Sequence, residues 1–188
     1  MALKVIGIVG LPGSGKTEIA KAFANFGAPS VRMGDVVWGE LRRRGQRITE
    51  ANVARLSNEF RKKDGMGAIA KRCVPIIRRV GKGRRAVVVD GIRGIDEVEV
   101  FRKAFGKNFH LIGAWASQKT RYRRVASRRR PDDAISPESF REKDKRELSW
   151  GLGDAIALSD FIVLNEEGIE ELRARAEELF KKIVGDEA

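Results

Sequence analysis

The sequence predicts an α/β domain built on a parallel sheet, and three observations lead there. Short apolar runs without polar alternation recur along the 188 residues, as in strands buried on both faces. Helical patterns separate them, which implies parallel pairing through right-handed crossovers. The first run feeds a glycine-rich turn that opens directly into a helical pattern.

Taken in order, the strands are Lys4 to Val9, a short Ser30 to Met33, Ala86 to Val89, Phe109 to Trp115 and Phe161 to Leu164. Helices are expected over Lys16 to Phe26, Asp96 to Phe105, Gln118 to Arg129 and Ile169 to Ile183. The last carries Glu171 with Arg175, Glu177 with Lys181 and Glu178 with Lys182 at the i,i+4 spacing that supports a helix. Two segments interrupt the alternation. Residues 35–80 read as three helical pieces: Gly45 ends the first, Thr49 caps the second, Gly65 and Gly67 precede the third, and Pro75 should kink that third piece. Residues 128–150 hold a break at Pro131-Asp132-Asp133 and then Ser136-Pro137-Glu138, a helix start with Ser at the cap and Pro at the first position. Both look like insertions on the α/β core.

Composition narrows the class. With 42% apolar residues the chain can bury a core as one domain. One Cys (Cys73) excludes a disulfide framework, and one His (His110) argues against a histidine-built metal centre or a Ser-His-Asp triad. The apolar stretches fall short of the ~18 residues that span a bilayer. With no leader pattern, a cytoplasmic setting and no membrane partner are expected. The net charge of +12, with Arg in excess of Lys, favours polyanionic ligands, either nucleic acid or small polyphosphates.

Gly10-Leu11-Pro12-Gly13-Ser14-Gly15-Lys16-Thr17 fits G-x-x-x-x-G-K-[ST], between an apolar strand and a helix. Glycines let the backbone wrap so that its N–H groups face phosphate oxygens, and the helix N-terminus adds positive potential. Gly10, Pro12, Gly13, Ser14, Gly15, Lys16 and Thr17 are therefore the expected ATP-binding residues, with Lys16 also catalytic at the β- and γ-phosphates. Thr17 and Asp90, at the end of the third strand, are the expected Mg²⁺ ligands. Gly91 follows Asp90 where hydrolytic ATPases place a water-activating carboxylate.

The acceptor side is less specific. Arg93 stands just beyond that strand, where ligands sit in open α/β sheets, and is read as acceptor-binding; a surface ion pair with Asp96 or Glu97 is the other reading. Asp35 is read two ways, as the cap of the following helix and as a base or acceptor-orienting group beside the transferred phosphoryl. Arg121, Arg124 and Arg128 share one helical face. Such stacked like charges repel unless an anion neutralises them, so Arg124 and Arg128 are the expected transition-state arginines.

Together these motifs resemble a small P-loop nucleotide kinase. Met33-Gly34-Asp35 resembles the threonine-glycine-aspartate of adenylate kinases, and Asp90-Gly91-Ile92-Arg93 their aspartate-glycine-x-proline-arginine with one residue fewer. From Arg128 to Leu158-Ser159-Asp160-Phe161-Ile162-Val163-Leu164-Asn165 the chain is similar to dephospho-coenzyme A kinase, although Met33 and Gly91 to Gly94 depart from that family's motifs. The mixture resembles an uncharacterised archaeal family of nucleotide-kinase-like proteins. The resemblance implies a P-loop NTPase core, with a five-stranded parallel sheet wrapped by helices. It also implies a helical acceptor-binding insert at 35–80, a short lid at 128–150, and Asn165 near the adenine. The implied activity is Mg²⁺·ATP-dependent phosphoryl transfer to a small nucleotide-like acceptor of nucleoside monophosphate or dephospho-coenzyme A type. The alternative is ATP hydrolysis serving nucleic acid or a partner protein.

Overall fold

A computed structural model of the chain describes residues 2–128 and 136–185, apart from the side chains of Glu50 and Arg128. The break at Pro131-Asp132-Asp133 lies outside the described residues. The sheet has five parallel strands, β1 (Lys4–Val9), β2 (Ser30–Arg32), β3 (Ala86–Asp90), β4 (Phe109–Trp115) and β5 (Phe161–Leu164), in the order β2-β3-β1-β4-β5.

Alternation along β1 sends side chains to two cores. Val5 and Val9 join Val87, Val89 and Leu111 on one face. That face is covered by α2 (Gly34–Arg43), α3 (Glu50–Asp64), α4 (Ala68–Val80), α5 (Ile95–Phe105) and α8 (Leu152–Ala157). Ile6 and Ile8 join Val88 and Ile112 on the other, under α1 (Lys16–Asn25) and α9 (Ile169–Val184). There Phe23 of α1 and Phe180 of α9 meet with ring centroids 5.1 Å apart. Two helices remain at the carboxyl end of the sheet, α6 (Gln118–Arg128) and α7 (Pro137–Ser149).

Local signals explain most boundaries. Thr49 caps α3 by accepting from the Asn52 amide, and Ser136 with Ser139 forms a capping box ahead of Pro137. The second strand stops one residue early because Met33 becomes the N-cap of α2, while β3 runs on to Asp90. The helix α4 runs unbroken through Pro75. Two elements escaped the sequence reading: the six-residue α8, which starts after Gly151 at φ 83°, and a 3₁₀ turn at Gly106–Asn108. The expected ion pairs along α9 do not form. Arg175 turns back instead, onto both carboxylate oxygens of Glu167 and the Leu164 carbonyl.

The two sheet edges differ. At β2 the exposed residues are Ser30 and Arg32. At β5 they are Ile162 (50% exposed) and Leu164 (52%), with Trp115 of β4 (45%) beside them.

Candidate active site

Strand β1 sits between β3 and β4, so its carboxyl end opens at the point where the strand order reverses. The glycine-rich loop leaves there and runs into α1. Gly13 (φ 82°) lies under α6, where a Cβ would stand 2.7 Å from the Arg121 carbonyl. Gly15 (φ 104°) is the left-handed N-cap of α1, and a Cβ there would strike the Asn165 amide. Neither position accepts another residue. Among the described residues, the amides of Gly13, Gly15, Lys16 and Thr17 donate to no backbone carbonyl, and the buried Ser14 hydroxyl has no partner. Unspent donors converging at a helix N-terminus fit a polyphosphate.

Lys16 curls over this loop, its Nζ donating to the carbonyls of Gly10 (2.5 Å) and Leu11 (3.2 Å). Burial lowers its pKa to about 8, against the opposing pull of Glu147 and Asp90. Asp90 ends β3 one strand away, in register with Ile8. Thr17 is exposed at the start of α1. Asp90 lies near enough to Lys16 for its charge to act on the ammonium. No cluster of three His, Cys, Asp or Glu side chains suited to a metal occurs among the described residues.

Three ties hold the loop. Asn165, 5% exposed, donates its side-chain amide to the Ser14 carbonyl at 2.9 Å. Arg124 in turn grips Asn165 at its carbonyl (2.8 Å) and side-chain oxygen (3.0 Å), and reaches the Glu167 carbonyl (3.1 Å). Glu166 accepts from the Ser117 amide and from Thr120 Oγ1 at the start of α6, and those bonds hold its carboxyl below the usual range. Arg124 therefore braces the segment after β5. Arg121, 4% exposed, makes the third tie: its fork meets both oxygens of Asp144 on α7 at 2.8 and 2.6 Å, and it also donates to Pro12 and Ala116 carbonyls. Of the stacked arginines of α6, Arg121 is thus neutralised by a carboxylate distant in sequence, and Arg124 is held by neutral oxygens of the segment after β5. The side chain of Arg128 lies outside the described part.

Across the cleft, Arg93 pairs with Glu147 of α7 at 2.8 Å, and not with Asp96 or Glu97 as a surface pair would. Its guanidinium lies 5.4 Å from the Trp150 ring centroid. Its amide donates to Glu97, whose carboxyl burial pushes upward. Arg61, Met66, Asp96, Glu97 and Trp150 join Arg93 around a narrow cleft. Asp35 is exposed within the first turn of α2, two residues past the Met33 cap, and makes no capping bond. The cap reading of Asp35 is thereby corrected: β2 ends early, which shifts the helix start to Gly34.

Sequence reading missed Arg61, Asp144 and Glu147. One signal was available, since Phe140, Asp144 and Glu147 stand four and three apart and share a face of α7. Nothing local marked Arg61.

Fold and loop together define a P-loop kinase-like protein. A family model described as an AAA domain matches residues 9–141. The chain is 45% identical over 183 residues to a UPF0200/UPF0201 protein of Archaeoglobus fulgidus, covering 97% of this chain and 57% of that protein. It is 45% identical over 171 residues to a UPF0200 protein of Methanosarcina mazei, covering 91% and 90%. The chain belongs to the UPF0200 family. Among solved structures, TT1252 from Thermus thermophilus superposes with a TM-score of 0.67 at 16% identity, over 97% of this chain and 98% of that one. Shikimate kinase from Acinetobacter baumannii gives 0.56 at 16% identity, over 96% and 93%. Among the described residues no helix is long and apolar enough to cross a membrane.

Two outcomes are expected. Arg121→Ala leaves the Asp144 carboxylate buried and unpaired, so urea denaturation should show a loss of about 3–5 kcal/mol; a loss below about 1 kcal/mol would mean the pair is not buried. The second concerns pH. The folded pKa of Lys16 lies below its unfolded value, so this group adds stability as pH climbs from about 8 toward the ordinary lysine range. Polyphosphate favours the ammonium, so ATP-analogue affinity should fall by up to about tenfold per pH unit above about 8. Lys16→Gln should flatten that slope in calorimetric titrations.

Proposed function

We propose that this protein transfers the terminal phosphoryl group of Mg²⁺-bound ATP to a small nucleotide-like acceptor, of nucleoside monophosphate or dephospho-coenzyme A type. The observation that carries this reading is a loop with unspent amides whose Lys16 lies within electrostatic reach of Asp90, Glu147 and Arg93. Gly91, following Asp90, supplies no carboxylate to activate water, which favours transfer over hydrolysis.

In this reading the amides of Gly13, Gly15, Lys16 and Thr17, with Gly10, Pro12 and Ser14 shaping the loop, hold the donor phosphates. Thr17 and Asp90 hold Mg²⁺. When bound there, Mg²⁺ would supply positive charge against the phosphate oxygens of the donor. Lys16 leaves the Gly10 and Leu11 carbonyls and follows the migrating phosphoryl group, where a preorganised cation acts most strongly. Asn165 keeps the loop curved, and Arg124 keeps Asn165 in place. Arg128 is the arginine assigned to the transferring group. Arg93 and Asp35 face the acceptor. Asp35, free of any capping bond, orients the acceptor or takes its proton. α7, joined to α6 by Arg121 and Asp144, closes the cleft and keeps water out.

Release of ADP should require an acceptor, and a panel of nucleoside monophosphates and dephospho-coenzyme A tests this. Lys16→Ala should lower turnover by at least ~10²-fold with the fold intact; near-normal kcat would remove Lys16 from the donor site. ADP release stimulated by RNA or DNA, with no small acceptor, would replace the reading with the hydrolytic one. Asp35→Asn separates the acceptor types. A phosphate nucleophile is mostly ionised at neutral pH and needs no base, so the loss should be modest and appear in acceptor KM. A hydroxyl acceptor should lose ~10²–10⁴-fold in kcat. A mutant that loses ATP affinity would show that Asp35 serves the donor side.

A further inference from the structure

The cleft beside the phosphate loop is shut by the protein's own charge. Glu147 is 13% exposed, and its carboxylate accepts from Arg93 at 2.8 Å. It is also the leading negative charge acting on the buried Lys16 ammonium, ahead of Asp90. The closure is tight on both sides of this pair. Trp150 lies under the Arg93 guanidinium, and the Trp150 carbonyl abuts Gly94, where no Cβ fits.

The bond between Arg93 and Glu147 uses one nitrogen of a guanidinium fork that can engage an anion through two. Arg61, reaching the same cleft from α3, is less satisfied still. Its Nε is buried without a hydrogen-bond partner, and its guanidinium forms no ion pair among the described residues. Glu97, also lining the cleft, accepts from the Arg93 amide. The Arg61 charge pulls on the Glu97 carboxyl across the cleft, but the two close no ion pair, and a partly desolvated cation so placed favours a nearer anion. Two arginines around one cleft, one half-used and one without an ion pair among the described residues, form an anion subsite, and Glu147 of α7 holds one of the two, Arg93.

We propose that Glu147 stands in for an anionic group of the phosphoryl acceptor: the acceptor's phosphate or carboxylate binds by displacing Glu147 from Arg93, and Arg61 supplies the second cationic arm. The word acceptor rests on the phosphoryl-transfer reading; the anion subsite does not. While the subsite is empty, Glu147 keeps Lys16 and Arg93 from repelling each other across the cleft. Displacing it lowers apparent acceptor affinity by the fraction of molecules in which the subsite is free.

The test uses the full chain loaded with Mg²⁺ and AMPPNP, which fills the phosphate loop. Inorganic phosphate and malonate are then titrated separately by calorimetry. Glu147→Gln should bind at least one of these anions about tenfold more tightly than the parent chain, and adding Arg61→Gln should erase the gain. A gain with phosphate identifies a phosphate-bearing acceptor, and one with malonate a carboxylate-bearing acceptor. Unchanged affinity for both anions in Glu147→Gln overturns the proposal, as does a gain that survives Arg61→Gln. AMPPNP affinity and far-UV circular dichroism check the fold of each variant. If Glu147→Gln fails either check, Glu147→Asp, one methylene too short to hold Arg93, carries the same comparison. Absence of acceptor-dependent ADP release would defeat the kinase reading while leaving these affinities as they are.

Discussion

The Arg121 guanidinium lies where four parts of the chain meet. It is 4% exposed and bonds to Asp144 on α7, to the Pro12 carbonyl in the phosphate loop and to the Ala116 carbonyl after β4, while its own backbone belongs to α6. Burying two charges costs several kcal/mol per ion before their attraction offsets it. What such a pair contributes is geometry more than net stability. A bidentate fork admits one orientation of its partner, so α7 has one seat against the phosphate loop. Glu147 lies three residues beyond Asp144, about one helical turn, and that seat places it between Lys16 and Arg93. The shape of the cleft follows from one buried arginine.

The donor side is organised by the same logic with weaker bonds. A loop that presents its amides outward has few contacts with which to hold its own shape. Here Asn165 reaches back from the end of β5 to the Ser14 carbonyl, and Arg124 and Glu166 tie that segment to α6. The phosphate loop is thus supported from the opposite half of the sheet, through strands β4 and β5, as well as by its own helix. A ligand meeting a loop braced in this way loses little binding energy to ordering it.

How much was legible in the sequence depended on the range of the interaction. The strands were read almost to the residue because β1, β3 and β4 are buried on both faces and each run is apolar throughout. The phosphate loop was legible because its function requires glycines at fixed offsets within eight residues. Caps at Thr49 and Ser136 were legible because they act over three residues. The arginines of α6 were not. Their repulsion on one helix face was recognised, but the groups that bind them come from α7 and from the segment after β5, 23 and 41 residues away. Asp35 shows the sensitivity of local reading to register. One residue less in β2 moves the helix start to Gly34 and turns a cap into a free carboxylate. Arg61 carried no signal, since its significance lies in what its surroundings fail to provide.

The outer strand β5 has a consequence for the behaviour of the chain in solution. Its outer rim of backbone groups, where Arg175 already takes the Leu164 carbonyl, is flanked by Ile162, Leu164 and Trp115, all near half exposed. An edge strand of that kind is a template on which a second molecule can extend the sheet. Glu166, Glu167, Arg175, Glu178 and Lys182 border the same surface, and the +12 net charge makes approaching molecules repel over a distance of about 10 Å at 0.1 M salt. Colloidal behaviour is therefore tied to ionic strength: in dilute buffer long-range repulsion guards the rim, and at 1 M salt, where screening leaves about 3 Å, only the flanking charges remain to guard it.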